Sequence, residues 1–109
     1  MKILYKEGVY LKFSDKTFLD LALIFFEEYQ KDGVIPMVTS ACDGRHMVGS
    51  LHGEGLAWDW RIWGLKDPGA TADQIRIRAR ELNPRYDIVF GDPDHLDHIH
   101  SEFDIRKAV

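Results

Sequence analysis

Cysteine is almost absent. Cys42 is the only one in 109 residues, which excludes an internal disulfide framework and any zinc site built from several thiolates. The lone thiol reads as a small buried or idle hydrophobe, with a nucleophilic pairing to His46 as the sharper and less supported alternative. An excess of positive charge is missing too. With 14 Lys and Arg against 18 Asp and Glu, the formal net charge is -4 and the pI about 5.7. No general basic field draws such a chain to phosphate backbones or anionic lipid. Long apolar runs are also lacking: LALIFF, flanked by Asp20 and Glu27, falls far short of the ~20 residues of a membrane span. The opening MKILYKEGVYLKFSDK has neither the continuous apolar stretch nor the small-residue cleavage site of a signal peptide. The expectation is a protein made in the cytoplasm, with no nucleic-acid partner and no membrane insertion.

What is present suits one domain over residues 1–109, since 45% hydrophobic and 12% aromatic content is enough for one core and the length is too short for two. ILYKEGVYLKF predicts a hairpin turning at Glu7-Gly8. From Thr17 to Lys31, Phe18, Leu21, Phe25 and Tyr29 recur at helical spacing, with Thr17 able to cap and Gly33 to stop. That aromatic stripe reads as core. VIPMVTS is a strand that Pro36 places at a strand start or an edge. Residues 41–55 hold four glycines and read as a functional loop. LAWDWRI alternates, so Ala57, Asp59 and Arg61 share one face and Leu56, Trp58 and Trp60 the other. A second helix follows a turn near residues 64–70, with Thr71 and Gln74 at capping-box spacing, Ile75, Ala79 and Leu82 inside, and Arg76, Arg78 and Arg80 as its solvated side, with anion binding as their less supported alternative. YDIVFGD and HIHSEFDI are the closing strands. Interleaved strands and helices with short connections predict an α+β domain with a mainly antiparallel sheet and two packed helices.

The five histidines fall in two patches: His46 and His52 in the glycine-rich loop, and His95, His98 and His100 near the last strand. Each patch carries aspartate and lies at a strand edge, which suits one metal ion assembled from distant segments. His52 and Asp59 are an odd number of residues apart, so a shared ion requires the chain to reverse between them, and Gly53 and Gly55 permit that. A third ligand from His98-Ile99-His100 would make two histidines and a carboxylate. That set leaves a coordination position open for water, as in catalytic zinc sites.

Ser50-Leu51-His52-x-x-Gly55-x-Ala57-x-Asp59 and Asp97-His98-Ile99-His100 together resemble the two boxes of the zinc D-Ala-D-Ala carboxypeptidases and L-alanyl-D-glutamate endopeptidases, which share a fold with the amino-terminal domain of hedgehog proteins. The opening hairpin, the VTS strand before Asp43-Gly44-x-His46-Met47 and the HIH strand followed by Glu and an aromatic extend the likeness to small phage and prophage members. It covers most of the chain, and both boxes in order are a far more specific signal than either alone.

The resemblance implies a hedgehog/DD-peptidase fold and one Zn2+ held by His52, Asp59 and His100. It implies Asp97 as catalytic acid and base, with Asp94, six residues before His100, as the rival. His98 would steady the oxyanion or substrate, Ser50 would help hold the substrate, and Arg45 would meet its carboxylate, unless Arg45 is simply a solvated loop charge. His46 has no settled role, and His95 reads as a surface residue. Trp58, Trp60 and Trp63 read as core or rim packing, with one of them able to line a groove.

The implied activity is hydrolysis of an amide bond in peptidoglycan stem peptides, with the protein reaching the cell wall after release by a holin-type partner. Two rivals stand beside it. One is a metal-binding interaction module without catalysis; the other is a phage structural component of the same fold.

Overall fold

The computed structural model describes residues 1–9, 15–41 and 56–107. They form an α+β domain in which five strands make one mixed sheet and two helices pack on it. Along the chain come β1 (Leu4–Tyr5), α1 (Asp15–Gln30), β2 (Met37–Ser40), β3 (Ala57–Arg61), α2 (Pro68–Leu82), β4 (Tyr86–Val89) and β5 (His98–Phe103). The strand order is β1-β2-β3-β5-β4, antiparallel throughout except that β1 runs parallel to β2. No helix among the described residues is long and apolar enough to cross a membrane.

Period-2 alternation sorts the sheet into a helix-facing side and an open side. Trp58 and Trp60 of β3, Ile99 and Ser101 of β5, Tyr86 and Ile88 of β4 and Val38 of β2 are buried. Against them α1 lays Phe18, Leu21, Phe25 and Tyr29, all buried. The Phe25 ring stacks on Trp60 at a centroid distance of 4.1 Å. Each such side chain contributes about 1.5–3 kcal/mol by leaving water. Two hydrogen bonds then fix the height of β3 under α1 and beside β5. The Tyr29 hydroxyl donates to the Arg61 carbonyl at 2.8 Å, and Trp60 Nε1–H donates to Ser101 Oγ at 2.8 Å. The Ser101 hydroxyl in turn donates a hydrogen bond to the Trp58 carbonyl at 2.8 Å.

The helix limits follow local chemistry. At the end of α1, Gly33 adopts φ +70°, and the amides of Gly33 and Val34 bond back to the carbonyls of Gln30 and Tyr29. This is the left-handed C-terminal motif that glycine permits at least cost. Thr17 does not cap α1: the helix has already begun at Asp15, and the Thr17 carbonyl accepts from the Tyr86 hydroxyl instead. Thr71 does not cap α2 either. Asp67 does, its carboxylate accepting from the Ala70 amide at 3.1 Å, with Pro68 in the first turn where it needs no amide partner.

Two expectations about α2 need correction. Leu82 is 57% exposed, and the buried face is Ala72, Ile75 and Ala79. Arg76, Arg78 and Arg80 are not an idle solvated side. Arg78 bridges to Glu27 and Glu28 of α1 at 2.5 and 2.8 Å, while Arg76 reaches the Ile88 carbonyl and Arg80 reaches Asp87. The chain turns at Gly8, φ +87°, and β1 pairs in parallel with β2, Leu4 opposite Met37. The returning arm of the expected hairpin lies largely outside the described residues. Pro36 stands just before β2, as a strand-start proline must when the strand is interior.

Candidate metal centre

The open side of the sheet carries the polar residues. β3 and β5 pair with Arg61 opposite His98, Asp59 opposite His100 and Ala57 opposite Glu102. Because all six lie on the face away from the helices, strand register alone sets Asp59 against His100. Trp58, Trp60, Ile99 and Ser101, buried between them, hold that register in place.

His100 is gripped at both ring nitrogens. Nδ1 lies 2.8 Å from Asp59 Oδ1 and Nε2 lies 2.7 Å from Glu102 Oε1. Both nitrogens therefore donate, and the ring is an imidazolium. Burial acts to push its pKa down, but the hydrogen bonds to Asp59 and Glu102 outweigh it and raise the value to about 9. His98, two residues earlier on the same face, turns Nε2 toward Asp59 Oδ1 at 3.6 Å and Nδ1 toward Asp97 Oδ1 at 2.6 Å. Asp97 precedes β5, so strand alternation does not bind it. Its side chain is 91% exposed, and the hydrogen bond from His98 holds its carboxyl below the usual aspartate range.

Sequence reading missed two members of this cluster. The His95 ring packs 5.3 Å from His98 and 5.2 Å from His100, centroid to centroid, with Nδ1 bonded to Asp92 at 2.6 Å. The expected surface residue is thus part of a three-histidine cluster. The turn that returns it, closed by Gly91 N–H to the His95 carbonyl, has no periodicity to betray it. Glu102, the second, was detectable, since its two-residue offset from His100 puts both on one strand face. Asp94, the rival acid, is exposed and its amide caps the Asp92 carboxylate.

The donor set fits a zinc ion in part. Two ligands on one tetrahedral zinc stand roughly 3.4 Å apart. Asp59 faces His100 at 2.8 Å and His98 at 3.6 Å, so opening the first pair by about half an ångström and losing its shared proton would admit the ion. Glu102 would then keep His100 oriented through the other nitrogen, the usual outer partner of a ligating histidine. Among the described residues these three do not yet form a closed triad. The group that does bring three ligand atoms within 4.8 Å of one another is Asp87, Glu102 and Asp104. That group is already neutralised, Asp87 by Arg80 and Lys107, Asp104 by Arg106 and Glu102 by His100.

His52, Ser50 and Arg45, together with His46 and Cys42, lie outside the described residues. Trp58 and Trp60 are core, as expected, whereas Trp63 is 70% exposed at the rim of a groove lined also by Lys6, Thr39, Arg61, Asp97 and His98. Compared with family models, with curated proteins and with solved structures, the chain finds no match in any of the three.

Proposed function

We propose that this chain is a zinc peptidase of the hedgehog/DD-peptidase fold that hydrolyses an amide bond in peptidoglycan stem peptides. The observation that carries the reading is the Asp59–His100 pair, cross-strand partners 2.8 Å apart with His98 beside them and Asp97 at the mouth. The two boxes named from the sequence supply those same residues in family order. They are also the source of the substrate class and of His52 as third ligand.

In this reading Asp59 and His100 would hold the ion, and Glu102, bonded to His100 Nε2, would keep the ring from turning. A bound zinc would supply Lewis acidity for a carbonyl oxygen and for a water. Asp97 is ionised and accessible, as a general base must be. It takes a proton from the attacking water and returns it to the leaving amine. His98, held by Asp97 at Nδ1, points Nε2 into the centre, where it can donate to the developing oxyanion.

The test uses protein dialysed free of metal, reloaded with zinc and mixed with purified peptidoglycan. New amine termini that require zinc support the peptidase. Zinc binding without new termini at any pH makes the chain a metal-binding interaction module, and failure to bind zinc makes it a structural component.

A further inference from the structure

The core uses only one side of α1. Phe18, Leu21, Ala22, Phe25 and Tyr29 are buried, so the opposite side of the helix faces solvent and polar residues are expected there. It is apolar instead. Lys16, Leu19, Leu23, Phe26 and Gln30 follow one another at steps of three, four, three and four residues, the repeat by which a helix offers a seam to a second helix. Leu19 is 52% and Leu23 48% exposed, and Phe26 is half-buried. Among the described residues no element covers this stripe.

The two ends of the stripe differ in charge. Lys16 pairs with Asp20 at 3.2 Å, yet its side chain stays 85% exposed. At the other end Glu27, paired with Arg78, keeps 46% of its side chain exposed. The last turn of α1, which holds Glu27, has no basic residue, although the helix dipole favours a cation there. Such a stripe is complementary to itself when reversed. In an antiparallel pair with its two-fold axis level with Leu21, Leu19 faces Leu23 of the second copy and Lys16 faces Phe26, with its ammonium beside Glu27. The Lys16 stem can cover the Phe26 ring while its charge stays in water. A parallel pair would set Lys16 on Lys16. Next to the seam, Leu23, Ile24 and Leu82 line a groove of about 360 Å³ between α1 and α2, and Leu19 of the second copy stands over it.

We propose that α1 pairs antiparallel with α1 of a second copy of this chain through Leu19, Leu23 and Phe26, with Lys16 of each chain set against Glu27 of the other. The helices pack on the side of the sheet that carries Trp58 and Trp60, whereas Asp59 and His100 lie on the opposite side. Both candidate metal centres therefore stay open in the dimer. The inference does not depend on the peptidase reading. A contact of one helix per chain belongs to the small specific interfaces, below about 1,200 Å² in total, so the dimer is weak and reversible.

Sedimentation equilibrium from about 10 µM to about 1 mM, the range in which weak pairs form, should carry the apparent mass from 12.6 kDa toward twice that value. Leu23→Lys should hold the mass at one chain over the whole range. Near-UV circular dichroism from the buried Trp58 and Trp60, and zinc content equal to the parent's, check that this variant folds and that its open face is unchanged. Lys16→Glu and Glu27→Lys each place like charges together at both ends of the pair and should weaken association at least about tenfold. An equimolar mixture of these two variants should associate as the parent does, because each supplies the charge that the other lacks. A parent that stays monomeric throughout, a dimer that survives Leu23→Lys, or charge variants that fail to associate when mixed overturns the proposal.

Discussion

Glu102 stands two residues beyond His100 on β5 and accepts a hydrogen bond from its Nε2 at 2.7 Å. This leaves Nδ1 directed at Asp59, so the carboxylate acts as a positioning group for the imidazole. Replacing Glu102 by Ala should weaken zinc binding by about 10–100-fold without abolishing it, the range typical of partners one step removed from a metal. Competition with a chelator measures this. Unchanged affinity would mean that His100 is oriented by something else.

Asp97 and Asp94 are separable by substitution. Asp97→Ala should keep zinc and lose about 10²–10⁴-fold in kcat, the span of general acid-base catalysis, because Asp97 is the acid bonded to His98. Asp94→Ala should leave kcat close to the parent value. The reverse result would hand the proton-transfer role to Asp94.

Buried Glu28, only 5% exposed, predicts acid sensitivity away from the site. Burial pushes its carboxyl up, but Lys31 and Arg78 outweigh that and leave it below the ordinary value. A carboxylate depressed in the folded state contributes stability above its unfolded pKa of about 4.3, and that stability is lost as pH falls through the folded value. Urea unfolding measured from pH 7 down to pH 3 should show the decline. In Arg78→Ala the protein should be about 2 kcal/mol less stable at pH 7, since one partner of a buried charge is gone while Lys31 remains. The decline below pH 5 should be shallower in that variant.

Ser101 is fully buried beneath Trp60 and relays its hydrogen bond to the Trp58 carbonyl. Ser101→Ala leaves a buried indole N–H without its acceptor. It should cost about 1–3 kcal/mol, read from the midpoint of chemical unfolding. A neutral substitution would show that the indole finds another acceptor.

Strand faces were readable from the sequence because alternation is local. LAWDWRI and HIHSEF each sort their own residues, so Trp58, Trp60 and Ile99 inside and Asp59, His98 and His100 outside follow from period 2 alone. Partner choice is not local. Nothing in ILYKE announces the parallel pairing with β2. The α2 cap is Asp67, not Thr71, because capping-box spacing alone does not say where the first turn begins. His95 escaped because it enters the cluster through a turn.

Zinc content after loading and exhaustive dialysis tests the central claim most directly, measured by elemental analysis on the parent protein and on Asp59→Ala, His100→Ala and Asp97→Ala. The account predicts about one zinc per chain in the parent and in Asp97→Ala, and loss of the metal in Asp59→Ala and His100→Ala. A parent protein that retains no zinc, or variants at 59 and 100 that retain it fully, would contradict it.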